Sequence, residues 1–410
     1  MKKILHAALL GTAAGAIGLT ACDPAPPPNA TVPSPVESDV IPAGETLVDV
    51  VREALADVVR DQDAYSRARR LGALLPTLGP ETVPAVVETL EDGTLDLGAT
   101  ELELLVRYWA THQPEDASRW ALEKSPSIYR SAAVLSAVTV WAEADPQAAV
   151  SVAWPWMANP TLERIVPIAL VRGWFAANDP PELAHWISGL PIGIPRQRAI
   201  AAYIRVVIQT QGAEAVKRWA ESLSDDDATY KSAAYRKVAA ALSKLDIEAG
   251  VRWCDSHCDG PYGNNMRSLI ARTWVIRDGP SALAWLSSAR EGYERDNAVR
   301  LTFAKWARTD REAALAWMAA QTTGEPDPWL RPIYPVYAKL LAADAPADAI
   351  EWAKRIENDA ERESVLIKVA RVWRYLDEAA AELWLLQSSL SEEAREQVRA
   401  PIEEGPRPNG

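Results

Sequence analysis

The feature that most constrains this chain is a recurrence. In "WARTDREAALAW" (residues 306–317) two tryptophans bracket a charged turn and an alanine-rich run. Taking Trp306 as an anchor, equivalent places fall at Leu75, Trp109, Trp141, Trp174, Ile208, Leu242, Trp274, Leu341 and Trp373, at intervals of 32 to 35 residues. Each anchor has an apolar follower 11 to 13 residues later: Val86, Trp120, Trp154, Trp186, Trp219, Trp253, Trp285, Trp317, Trp352 and Trp384. A fixed period over ten units marks a repeat architecture, in which each unit buries its apolar face only against its neighbours. The period also explains the composition, with 17 Trp beside 2 Phe.

Local chemistry predicts two helices per unit, A and B. In "WAEADPQAAVSVAW" and "WFAANDPPELAHW" the pairs Asp145-Pro146 and Asp179-Pro180 suit a helix start. Aspartate accepts the orphan amide hydrogens and proline has none to lose. Thr309 and Glu312 have the spacing of a capping box. Helix A carries apolar or small residues at −7, −4 and −3 from its anchor, as in Val134, Ala137, Val138 and Trp141. That is one helical face. Helix B tends to place a small residue three before its own anchor: Ala117, Ser151, Gly250, Ala282, Ala314, Ala349, Ala381. Small beside large lets helices approach, so the tryptophans read as core wedges.

Helical hairpins of this length resemble tetratricopeptide (TPR)-like and Sel1-like repeats, and "DREAALAW" looks like the start of a TPR second helix. The first helix lacks the W-x2-L-G-x2-Y pattern of a true TPR. The expected fold is all-α: an open α-solenoid of about ten hairpins over residues 46–390. An amphipathic helix at 46–60 precedes the repeats, and a polar capping helix and tail follow at 391–410.

Residues 1–22 read "MKKILHAALLGTAAGAIGLTAC". Lys2 and Lys3 precede a short apolar run, the pattern of a secretory signal. The ending Leu19-Thr20-Ala21-Cys22 resembles the lipobox of bacterial lipoproteins. The resemblance implies cleavage after residue 21, acylation of Cys22 and attachment to a membrane facing the periplasm. Asp23 resembles an inner-membrane retention signal. Residues 22–45 then form a proline-rich tether, whose 23–44 segment reaches roughly 70 Å if extended. Cleavage removes two lysines and no acid, taking the formal charge from −13 to −15. Such acidity disfavours nucleic acid as a partner, so membrane attachment is expected from lipid.

No phosphate loop, HExxH, GxSxG or kinase pattern occurs. No catalytic residue, cofactor or metal is therefore assigned. The local cluster "WCDSHCDG" holds Cys254, His257 and Cys258. Its order is not that of haem attachment, and zinc lacks an evident fourth ligand. A disulfide, two free thiols or a metal site all remain open, with no catalytic part expected for either cysteine.

Two sets of cations stand out. One lies near helix A starts: Arg130, Arg164, Arg198, Arg295, Arg331 and Arg362. There a cation opposes the helix dipole and needs an offset, most simply the carbonyls ending the preceding helix B. The other lies two before the anchor: Arg107, Arg172, Arg272, Lys339 and Arg371. This second set either forms a basic stripe for an acidic peptide or is a solvated face. The leading expectation is a lipid-anchored periplasmic scaffold that binds a protein or peptide partner, which fits the extended concave surfaces of such folds. The alternative is an enzyme or accessory domain acting on cell-wall glycan, of the α/α-toroid or transglycosylase-superhelix kind. About twenty residues after the last repeat are expected to leave no room for a lysozyme-like domain.

Overall fold

The computed structural model describes residues 46–177, 180–321 and 326–400. The expected signal sequence, Cys22 and the tether lie outside these residues, as do Asp179 and the tail after residue 400. Among the described residues there are 22 α-helices and no strand, so the fold is all-α. No helix of the described residues is long and apolar enough to cross a membrane.

The chain divides into two compact units that meet in sequence between Tyr108 and Trp109. In the first, α1 (Leu47–Arg60) begins with a capping box in which Thr46 and Asp49 each accept the other's backbone hydrogen. It packs against α2 (Ala64–Leu74) and α3 (Val83–Glu91). The first anchor, Leu75, follows α2, and its follower Val86 lies on α3; both are buried. Arg67 and the buried Glu101, from α4 (Ala99–His112), form an ion pair at 2.7 Å.

The second unit continues with α5 (Pro114–Glu123), carrying Trp120, and then runs in hairpins. These are α6 (Arg130–Ala144) with α7 (Pro146–Ala153), α8 (Val166–Ala176) with α9 (Pro180–Gly189), and α10 (Ile194–Gln211) with α11 (Ala213–Glu221). Next come α12 (Ala228–Leu245) with α13 (Ile247–His257), α14 (Met266–Trp274) with α15 (Gly279–Ser287), and α16 (Tyr293–Thr309) with α17 (Arg311–Ala320). The last are α18 (Tyr334–Leu341) with α19 (Pro346–Lys354) and α20 (Asp359–Leu376) with α21 (Glu378–Gln387), closed by α22 (Glu392–Arg399). Each A helix contacts the next: α6 on α8, α8 on α10, α10 on α12, and onward to α20 and α22.

Aspartates make the turn from A to B. Asp145, Asp246, Asp278, Asp310 and Asp377 each cap a B helix by accepting backbone N–H groups. The expected Thr309 box does not form. Asp310 is the N-cap, and the Thr309 hydroxyl instead donates to the Lys305 carbonyl. A carboxylate one residue later outcompetes the hydroxyl for the amides, and Glu312 is then out of register with the cap.

The tryptophans pack as pairs within units. Trp109–Trp120, Trp174–Trp186, Trp274–Trp285, Trp306–Trp317 and Trp373–Trp384 have ring centroids 5.7 to 6.2 Å apart and tilted planes. Burying an indole removes about 150–250 Å² from water, on the order of 4 kcal/mol each. Trp154 departs from the pattern. It sits in a 3₁₀ turn over Trp154–Ala158 rather than on α7, and is 40% exposed. Pro155 stops α7 early. With the register lost, Ser151 is exposed and Ala149 and Ala153 are the small residues buried instead.

Candidate binding face

The structure resolves the roles of the helix A cations. Arg130 donates to the Ser125 carbonyl at 3.3 Å and Arg362 to the Ile356 carbonyl at 2.7 Å. Lys231 does the same to Leu223 at 2.8 Å and Arg395 to Ser388 at 2.8 Å. Each clips the start of one helix to the end of the helix before it, offsetting the dipole mismatch. In α10 the clip is Arg196, not Arg198: Arg196 is buried, donates to the Ser188 carbonyl at 2.9 Å and pairs with Asp227. It also lies over the Tyr230 ring, 4.7 Å from the centroid. Its hydrogen bond, joined by the Tyr230 amide, holds the Asp227 carboxyl below its usual range. Arg295 and Arg331 pair with acids instead, Asp296 and Glu357.

The set two before the anchor falls in both compact units. Arg107 lies in the first unit. In the second, Arg172, Arg272, Lys339 and Arg371 stand on α8, α14, α18 and α20, with Val206 and Ala240 at the matching places on α10 and α12. Arg172, Arg272 and Arg371 are half-buried and Lys339 is exposed. Neighbouring cations join them. The Lys305 amine donates to the Arg272 carbonyl at 2.6 Å, and burial with nearby Arg272 and Arg308 pushes it below the usual lysine range. Lys339 is lowered likewise by partial burial of its amine and by Lys368 and Arg300, against the pull of Glu361.

One place brings Arg198, of the helix A set, together with cations the sequence did not single out. A groove of about 430 Å³ between α10 and α12 is lined by Arg198, Arg205, Lys237 and Lys244. Its remaining walls include Ile204, Ile208, Gln209 and Leu245, and no carboxylate lines it. Arg198, Arg205 and Lys244 are exposed and Lys237 is half-buried. None of the four is in an ion pair among the described residues. Burial, then Arg198, Arg236 and Lys244, push the Lys237 amine down. The two residues on each helix are seven apart, about two turns, so both cations of a helix share one face. That i, i+7 spacing is the part of the groove readable in each helix; the packing that sets the two pairs side by side is not.

The cysteine cluster closes as a disulfide. Cys254 and Cys258 form a disulfide with a Cα–Cα distance of 4.7 Å at the end of α13. His257 stacks on Trp253 with centroids 3.9 Å apart, its Nδ1 2.9 Å from the Trp253 carbonyl and its Nε2 3.4 Å from Glu221. Asp259 is paired with Arg267. Among the described residues no group of three His, Cys, Asp or Glu side chains is placed to hold a metal ion.

No family model matches the chain, and no curated protein or solved structure matches it.

Proposed function

We propose that this protein is a lipid-anchored scaffold of the cell envelope, presenting the faces of successive A helices to a polypeptide partner. The observation that carries this reading is the cation-lined, carboxylate-free groove between α10 and α12 in an otherwise acidic chain. An uncompensated cluster of like charges costs stability in the free protein, and such costs concentrate where a partner relieves them. The lipobox-like ending at Cys22 supports the anchor, and Asp23 supports the inner membrane. The test is photo-crosslinking in intact cells from a reactive residue placed at Gln209, in the groove, and at Ser281, on a B helix. A discrete protein adduct from Gln209 and none from Ser281 is expected. No adduct from the groove or from further A-helix positions overturns the reading.

A second reading, glycan recognition, draws on Trp154. Its exposed indole lines a cavity of about 500 Å³ with Trp174, Trp186, Glu182 and His185, and an open aromatic face suits a sugar ring. Loss of peptidoglycan-fragment binding in Trp154→Ala supports this reading; absence of any binding by the parent protein removes it.

A further inference from the structure

We infer that the groove between α10 and α12 binds an extended acidic segment of a partner polypeptide, with carboxylates on Arg198, Arg205, Lys237 and Lys244 and apolar side chains against Ile204, Ile208 and Leu245. The inference rests on the scaffold reading and names the partner's chemistry.

Three observations carry it. The first is the division of labour between Arg196 and Arg198. Arg196 performs the structural clip to Ser188 and Asp227, so Arg198 is not needed for the dipole and lines the groove instead. The second is the missing counter-charge. Several cations beside loops and helix ends are paired with acids, as in Lys231–Asp225 at 2.7 Å and Arg331–Glu357 at 2.6 Å. Here four cations converge and no acid lines the space with them. Lys237 is half-buried in this company, and burial first, then the neighbouring Arg198, Arg236 and Lys244, lower its amine. The third is the apolar floor. Leu245 is 60% exposed at the end of α12, beside Ile208 in the same groove. A simple inorganic anion would leave that surface wet.

Geometry favours a peptide. Cations seven apart on a helix are about 10 Å apart along its axis. An extended chain advances roughly 3.3 Å per residue and turns alternate side chains to one face, so carboxylates two to four residues apart, about 7–13 Å, bracket one such pair. A bilayer is a poor occupant. An anionic surface would have to approach a chain of net charge −13, whereas a segment entering the groove feels mainly the local field within a Debye length of roughly 8–10 Å.

The experiment uses the purified full chain and a fluorescent probe peptide of alternating Glu and Leu. The controls are the same peptide with Gln for Glu, inorganic phosphate, and vesicles of phosphatidylglycerol. The expected result is saturable binding of the Glu peptide that weakens with salt, with no binding of the Gln peptide. Arg205→Gln with Lys237→Gln should weaken it by about tenfold or more, the scale of losing one or two charge contacts. Lys354→Glu, at a surface lysine already paired with Glu351, should leave it unchanged. Melting temperature checks that each variant is folded, and Arg198→Gln with Lys244→Gln, both exposed, repeats the test at positions folding does not need. Binding unaffected by both pairs overturns the inference. So does full competition by phosphate, or vesicle binding that the same substitutions remove. If the peptide fails while Gln209 still crosslinks to a protein in cells, the groove's chemistry is wrong and the scaffold stands. If the peptide binds and no A-helix position crosslinks, the scaffold reading falls alone.

Discussion

Gly279, the first residue of α15, lies against the indole of Trp306 so closely that a Cβ there would overlap the ring carbons Cδ2, Cε2 and Cε3. The helix B of one unit thus meets the anchor of the next at a place only glycine can occupy. Gly250 against Ser243, and Gly173 against the backbone of α6 at Thr139 and Glu143, repeat the device. Close approach of backbones is what lets a large ring fill the remaining space without a void.

Replacing Gly279 by Ala should therefore destabilise by about 1–3 kcal/mol through overpacking. Trp306→Ala should cost about 3–5 kcal/mol, since the ring is only 6% exposed. Because the two residues touch, the double variant should lose clearly less than the sum. Thermal melts of the three variants check this, and strict additivity would place the strain elsewhere.

Arg196 and Arg198 should separate cleanly. Arg196→Ala removes a buried clip and leaves the Ser188 carbonyl without that donor, for about 1–3 kcal/mol. Arg198→Ala should leave the melting temperature within error. The clip is also pH-dependent. Asp227 has a depressed carboxyl in the folded state, so its contribution is complete above its ordinary value of 3.8 and is lost as pH falls below that. The gap between wild type and Arg196→Ala should narrow in melts taken down that range.

The disulfide spans four residues, a very short loop. Chain-entropy reasoning gives about 2 kcal/mol for so short a closure. Cys254→Ser with Cys258→Ser should lower the melting temperature by a few degrees, match the effect of reductant on the parent, and keep peptide binding. Loss of binding at full folding would give the cluster a functional part.

Cys22→Ser should release the protein from the membrane fraction and slow its processing, if the lipobox-like ending is read as proposed. Unchanged detergent partitioning would contradict the anchor.

Much of this architecture was legible from periodicity. Most anchors and followers from Trp109 to Trp384 mark successive helices as the structure has them, because a large apolar residue placed every 32 to 35 residues leaves few ways to bury it. What failed was local competition. Pro155 cut α7 short and turned Trp154 outward, and Asp310 displaced Thr309 as the cap. The groove was missed for a different reason. Its cations belong to two helices and become neighbours only once α10 packs on α12. No single-helix register reveals a charge that lacks its opposite, since that is a property of the space between elements.

The packing of each A helix on the next has a consequence for how the chain is made. Contacts join neighbours along the sequence, so a hairpin needs to wait for little more than one further hairpin before its apolar side is covered. A chain delivered slowly, end first, through any pore would carry at most about one uncovered unit at its growing edge. The greasy surface offered to bystanders would stay constant during synthesis however many units were added, and the array could lengthen or shorten by whole hairpins without a new core having to be invented.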